Sequence, residues 1–184
     1  MSRLPAGKRL RLLFQDEARL GRISDQRRGW APLPFRPVVG HQVMRQFVYG
    51  LAAVSPLDGQ FCSWALPWVD TETMSLFLAC TAAQFRNDYC GMGLDGAGWH
   101  TALDLRVPPS LQLLSLPPYR PELNPVEHIG EHLRENHFGN RLFNSLDQVV
   151  AQLCVGLRPL HRQLKLVQSM TCFDWIKALP LTLN

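Results

Sequence analysis

A chain of 184 residues, 46% hydrophobic and 18% charged, can bury one substantial core; this excludes a wholly disordered polymer and fits one domain, or one domain with a helical extension. No stretch approaches the roughly 18 uncharged apolar residues of a membrane helix, and Asp16 interrupts the short apolar run of the basic N-terminus, which excludes a secretory signal. The net charge of +4 is unevenly spread: +7 over residues 1–50, −6 over 51–133 and +3 over 134–184, a distribution suited to holding cations centrally and a polyanion around them.

Residues 8–15 (KRLRLLFQ) alternate basic and apolar before turning fully apolar, which predicts a strand that enters the core and ends at Asp16-Glu17. Residues 21–40, rich in Arg, Gly and Pro, predict a loop. Residues 46–55 predict a strand, Pro56-Leu57-Asp58-Gly59 a turn, and 60–67 the returning strand of a hairpin. Asp70 or Thr71 caps a helix to about Asp88, with Met74, Phe77, Leu78, Thr81 and Phe85 at helical spacing. Short strands follow at 90–94, ending at Asp95, and at 111–116, ending at Pro117-Pro118. Asn124-Pro125 opens a helix to about Asn136, Ser145 one to Leu157, and a further helix falls near 160–177. A hairpin followed by strand–helix–strand crossovers predicts an α/β fold with a mixed sheet covered by helices.

The five cysteines are odd in number and form no C-x-x-C pair. That argues against a disulfide framework or a cysteine zinc site and fits the reducing cytoplasm.

Two apolar runs end in an aspartate, RLLFQ-Asp16 and CGMGL-Asp95. As parallel neighbours, two such strands bring their carboxylates together at the strand ends, where α/β sheets bind ligands. Like charges so placed repel unless a cation lies between them, and Mg²⁺ takes oxygen ligands of this kind. Glu127 is the third candidate. Asn124, Pro125 and Glu127 also suit the N-cap, N1 and N3 positions of a helix start, so Glu127 reads equally as a capping residue and as a metal ligand. Three carboxylates around two Mg²⁺ ions form the two-metal arrangement of phosphodiester chemistry.

Leu94-Asp95-Gly96-Ala97-Gly98-Trp99-His100 and the run Leu116-Pro117-Pro118-Tyr119-Arg120-Pro121-Glu122-Leu123-Asn124-Pro125-Val126-Glu127 resemble the DDE superfamily endonucleases. They are similar in particular to bacterial insertion-sequence transposases related to the Tc/mariner group. Phe14-Gln15-Asp16-Glu17 and Arg28-Gly29-Trp30-Ala31-Pro32 extend the likeness, which covers about residues 8–145. The resemblance implies an RNase H-like catalytic domain over 1–150, with 151–184 as a helical extension of it. It implies Asp16, Asp95 and Glu127 as the catalytic, metal-holding carboxylates, with two Mg²⁺ ions and Mn²⁺ as the substitute. The implied activity is cleavage at transposon ends and transfer of the freed 3′-hydroxyl into target DNA. The implied partners are those DNAs and a second copy of the chain.

Full-length relatives carry an N-terminal helix-turn-helix region, whereas this chain starts almost at the first catalytic strand, so a separate helix-turn-helix segment or chain is expected. Gly130 stands where relatives usually carry Trp, in mid-helix, where Gly costs about 1 kcal/mol in helix propensity; Arg120 replaces the usual Ser. These departures motivate an alternative, an inactive or domesticated remnant that only binds DNA or a partner.

The resemblance also sets His100 near the scissile phosphate; read locally, it is a surface or capping His in a turn. Arg19, Arg22, Arg27, Arg28 and Arg36 are expected in the loop after the first strand, interleaved with Trp30 and Phe35, and with Arg120 make a candidate phosphate surface. Glu122 and Glu131 compete for the third carboxylate position, while Glu17, next to Asp16, is expected on the opposite strand face as a surface or supporting carboxylate. His128-Ile129-Gly130-Glu131-His132 matches the H-x-x-E-H of inverted zinc peptidases, but the glycine and the much longer run before it argue against zinc.

Overall fold

The computed structural model describes residues 8–23, 26–100, 102–118 and 120–179. Ten elements follow in chain order: β1 (Arg9–Ile23), β2 (Val43–Val54), β3 (Phe61–Leu66), α1 (Thr71–Gln84), β4 (Asp88–Leu94), β5 (Leu111–Ser115), α2 (Val126–Leu133), α3 (Leu146–Leu160), α4 (Leu164–Thr171) and α5 (Asp174–Lys177). The strands form one sheet in the order β3-β2-β1-β4-β5. β3, β2 and β1 run antiparallel, while β1, β4 and β5 run parallel. The expected mixed sheet is therefore present.

Side-chain alternation divides the core into two layers. Leu13, Leu51, Ala53 and Cys62 face Met74, Phe77 and Leu78 of α1. Their neighbours Phe14, Ala52, Val54 and Phe61 join Ile129, Leu133, Val149 and Leu153 of α2 and α3, with Val167 and Ile176 behind. Covering both faces explains why the central strands read as unbroken apolar runs. α3 starts at Ser145, whose hydroxyl accepts from Gln148 N–H at 3.3 Å, and it runs through position 150 without a break.

Four boundaries differ from the sequence expectation. β1 does not end at Asp16. Its parallel pairing with β4 stops at Phe14↔Gly93, but its antiparallel pairing with β2 continues through Glu17↔Leu51 and Leu20↔Val48 to Ile23↔Val43. Arg19 and Arg22 consequently lie on a strand rather than in a loop. The helix expected to reach Asp88 stops at Gln84, because Asp88 is drawn into β4 by Arg9 and Arg11. α2 ends at Leu133 and widens into a π-helical turn over Arg134–Phe138. The single helix expected near 160–177 is two, because Cys172 leaves helical geometry (φ −86°, ψ 79°).

Arg11 is 7% exposed and sits among acceptors. Its Nε reaches Asp88 Oδ2, one terminal nitrogen reaches Asp58 Oδ2 at 2.6 Å and Ser55 Oγ at 2.8 Å, and the guanidinium lies 4.5 Å from the Phe85 ring centre. Burial opposes its charge, but hydrogen bonds to Asp88 and Asp58 outweigh this and hold its pKa above the ordinary value. Burial likewise opposes ionisation of Asp88, yet Arg9 and Arg11 keep its carboxyl below the usual range.

The β2–β3 turn requires glycine at position 59, where φ is +72°. Gly59 N–H donates to Ser55 O at 2.8 Å, and an added Cβ would strike the carbonyl oxygen of Leu164 at the start of α4. Backbone cannot yield as a side-chain tip does, so Gly59→Ala should lose about 2–4 kcal/mol in urea denaturation. Among the described residues no helix is long and apolar enough to cross a membrane, and the five cysteines are free thiols.

Candidate active site

Asp16 lies two residues past the last β1–β4 rung on one strand, and Asp95 two residues past it on the other. The parallel register thus sets the two aspartates side by side where β1 loses β4 as a partner. Glu127 arrives from α2. The 3₁₀ turn Pro121–Leu123 ends at Asn124, which is extended (φ −105°, ψ 97°) and 5% exposed. Its Nδ2 donates to Gln15 O at 2.9 Å, and its Oδ1 accepts from Val126 N–H at 3.3 Å. One buried amide thereby caps the helix and ties its start to the residue before Asp16. The cap position itself is taken by Pro125, whose φ of −66° suits a helix entry. With Val126 and Ile129 in the core, Glu127 is left exposed on the first turn, where the helix dipole favours an anion.

Asp16, Asp95 and Glu127 line one pocket of about 450 Å³, with Asn124 and Arg120 also in its wall. A second pocket of about 240 Å³ flanks the Asp16–Glu127 pair and brings in Glu17, Gly130, Glu131 and Arg134. A larger cavity of about 600 Å³ between α1 and residues 104–108 shares no residue with either; its mainly apolar wall does not gather the carboxylates, so we place the chemistry elsewhere.

Burial first, then the like charges of Glu17, Glu127 and Asp95, push the Asp16 carboxyl up to about 7, against an opposing hydrogen bond from Glu17 N–H. The fold therefore holds a proton on Asp16 more tightly than the unfolded chain does. Carboxylates gathered around a buried Asp16 in this way fit a hard divalent cation, and the donor set is oxygen throughout. Among the described residues, no three His, Cys, Asp or Glu side chains already stand close enough to cage an ion by themselves.

The two competing carboxylates and Glu17 are placed differently. Glu122 is exposed and pairs with Arg120 at 3.3 Å. Glu131 lines only the smaller pocket. Glu17 shares a strand face with Gln15, whose Nε2 donates to it at 3.3 Å; burial raises its pKa and nearby His100 pulls it back.

The expected phosphate-contacting residues separate. The His100 side chain is 1% exposed, with Nδ1 2.9 Å from Asp95 Oδ1 and 3.0 Å from Asp95 O. The Arg19 guanidinium lies 3.9 Å from the Phe47 ring centre. Arg22 donates to Phe143 O at 2.8 Å and to Gln46 Oε1 at 2.7 Å. Arg27 approaches Glu135 at 3.8 Å, and its N–H donates to Asn140 Oδ1. Arg28 and Arg36 are exposed beside exposed Trp30 and Phe35. Of the predicted arginines, only Arg120 lines the carboxylate pocket; Tyr119 before it lies outside the described residues.

Two participants escaped the sequence reading. Asn124 was legible as a cap but not as a cross-link to β1. Arg134 follows Glu127 by seven positions and Gly130 by four, which sets all three on one helix face. That periodicity was the available signal. The zinc pattern dissolves: His128 Nδ1 meets Met170 O at 3.0 Å, while His132 engages Asn136.

A family model described as DDE superfamily endonuclease matches residues 11–150. Over 130 residues, 70% of its length, the chain is 35% identical to the uncharacterized protein y4pE/y4sA of Sinorhizobium fredii (strain NBRC 101917 / NGR234), of which it covers 96%. Among solved structures it is similar to the Mos1 mariner paired end complex with Mn (TM-score 0.58, 13% identity, 91% of this chain and 55% of that one). It is also similar to the Mos1 strand transfer complex (TM-score 0.55, 13% identity, 88% and 54%). The likeness to those structures shows an RNase H-like fold, and the chain spans about half their length.

Proposed function

The chain belongs to the DDE superfamily endonucleases, and from that membership we propose that it is the catalytic domain of a transposase, cutting DNA strands and transferring 3′-hydroxyl ends with the help of divalent cations. The observation that carries this reading is that Asp16, Asp95 and Glu127, from β1, β4 and α2, line a single pocket. Residues 1–150 then form the catalytic domain and 151–184 its helical extension.

In this reading Asp16, Asp95 and Glu127 hold Mg²⁺ or Mn²⁺. When bound, such cations supply Lewis-acid charge to the attacking and leaving oxygens of a phosphodiester. Asn124 sets the separation of Glu127 from Asp16. Arg120, with its side chain 62% exposed at the pocket wall, meets a DNA phosphate. Arg28 adds a sequence-independent contact, as do Arg19, Arg22 and Arg27 where their present partners release them. The DNA partners are transposon ends and target, reached by a dimer in the cytosol, with sequence read by a helix-turn-helix segment or chain.

The alternative, an inactive remnant that only binds, draws on the lack of a ready three-donor cage among the described residues. Gly130 adds to it: a Cβ there would sit in ordinary contact, 3.4 Å from Ala18 Cβ and 3.5 Å from an Arg134 nitrogen, so the packing against β1 does not itself require glycine. Supercoiled plasmid incubated with the protein decides between the two. Open circles formed with Mg²⁺ or Mn²⁺, and not with EDTA, support the enzyme; none, even with a helix-turn-helix partner supplied, supports the remnant.

A further inference from the structure

Asp95 carries its carboxylate on the loop that follows β4, with no regular element to hold it. Its side chain is 57% exposed. An aspartate so placed has free rotation about both side-chain torsions unless something fixes it, and a rotating carboxylate is a poor half of a metal site.

Two groups fix it. Ala97 N–H donates to Asp95 Oδ1 at 3.1 Å, closing a tight turn. The 3₁₀ turn Gly98–His100 then brings the imidazole back, so that Nδ1 lies 2.9 Å from the same Oδ1 and 3.0 Å from the Asp95 carbonyl oxygen. Both neighbours of Nδ1 are acceptors only, which requires the hydrogen to reside on Nδ1. The ring is 1% exposed and cannot swing toward solvent. Oδ1 thus accepts from Ala97 N–H and lies against Nδ1, whose hydrogen is donated to the Asp95 carbonyl oxygen, while Oδ2 takes no hydrogen bond among the described residues. Metal-ligating carboxylates are commonly held in this way by an outer partner that orients them.

Resting on the two-cation reading above, we propose that His100 is a positioning residue: its Nδ1–H holds the Asp95 carbonyl, its ring lies against Oδ1 of the same residue, and Oδ2 is left as the oxygen offered to the cation. It is not a DNA contact, since a ring buried to this degree does not reach a phosphate.

Paired amide substitutions separate the two ring nitrogens. Asparagine carries an amide nitrogen close to the place of Nδ1, and glutamine close to that of Nε2. Mn²⁺ binding, read by electron paramagnetic resonance on the chain without DNA, should weaken about 10–100-fold in His100→Ala and His100→Gln. His100→Asn should stay within about threefold of wild type, by the same argument on outer partners. Binding to a DNA duplex in EDTA should be unchanged in all three. Glutamine rescuing better than asparagine, or all three binding Mn²⁺ as wild type does, overturns the proposal. If the alanine and glutamine variants fail to fold, asparagine alone decides: a tenfold loss in a cooperatively melting His100→Asn protein also overturns it. Wild type failing to bind Mn²⁺ at all removes the two-cation reading itself and this inference with it. Loss confined to the alanine and glutamine variants supports both.

Discussion

Asp95→Asn should reduce metal-dependent strand cleavage by at least about 10³-fold, or roughly 4 kcal/mol of transition-state stabilisation, while leaving the thermal midpoint nearly unchanged. The substitution keeps shape and removes charge, and the exposed side chain contributes little packing. Plasmid nicking in Mg²⁺ measures the first effect and calorimetry the second. Undiminished nicking would end the assignment of Asp95. Asp16→Asn should lose cleavage as fully, but with the opposite effect on stability. The Asp16 carboxyl, pushed up to about 7 by burial and its acidic neighbours, binds a proton more tightly folded than unfolded. Its charge therefore lowers stability progressively as pH rises from about 4 through about 7, by on the order of a few kcal/mol in total. The asparagine variant escapes that loss, so without metal it should be more stable than wild type at pH 8 and no more stable at pH 4. Denaturant midpoints at those two pH values check it.

The second large effect concerns a residue far from cleavage. Arg11→Met should destabilise the fold by about 3–5 kcal/mol, the usual consequence of leaving a buried carboxylate without its partner. Asp88 would be that carboxylate, its side chain only 10% exposed and its remaining cation, Arg9, largely in solvent. The double variant Arg11→Met/Asp88→Asn should recover most of the loss, because it removes the stranded charge as well. The pH dependence has a definite sign. Asp88 and Asp58 both have folded pKa values below the ordinary range, because the opposing effect of burial is outweighed by Arg9 and Arg11 at Asp88 and by Arg11, Ser55 and the Gln60 N–H at Asp58. Their contribution is complete above a pH of about 4 and disappears as pH falls through the folded values. Wild type and Arg11→Met should therefore converge in strong acid. A gap that persists there would assign the effect to packing of the Arg11 stem on Phe85.

Much of this was legible in the text of the chain. The apolar runs at 8–15, 46–55 and 90–94 gave the central strands, since strands buried on both faces need no polar interruption. The spacing from Met74 to Phe85 gave α1. The motif around Asn124 and Glu127 gave the helix start. Other features depended on contacts that no local pattern encodes. Whether β1 stopped at Asp16 or went on was decided by β2, a pairing partner some thirty residues away, beyond a loop. Arg11 reads as one basic residue of an alternating, half-solvated strand; only Asp58 and Asp88, both distant in sequence, make it a buried one. His100 was expected beside the substrate or at the surface of a turn; that its ring is buried against Asp95 could not be read from its neighbours in sequence. The turn that folds it under Asp95 depends on the loop's three-dimensional course, not on any periodicity.

The carbonyl of Gln15, one step beyond the final rung shared with β4, is claimed by the Asn124 amide, so a side chain stands in where a strand has ended. The three acids therefore arrive by unequal routes: Asp16 on β1 itself, Asp95 one residue past the end of β4, and Glu127 on a helix whose start is tied to β1 by the Asn124 amide and whose inner face packs in the core. The spacing between the sheet-borne acid and the helix-borne one is thus set by two fastenings, one polar at the mouth of the helix and one apolar beneath it.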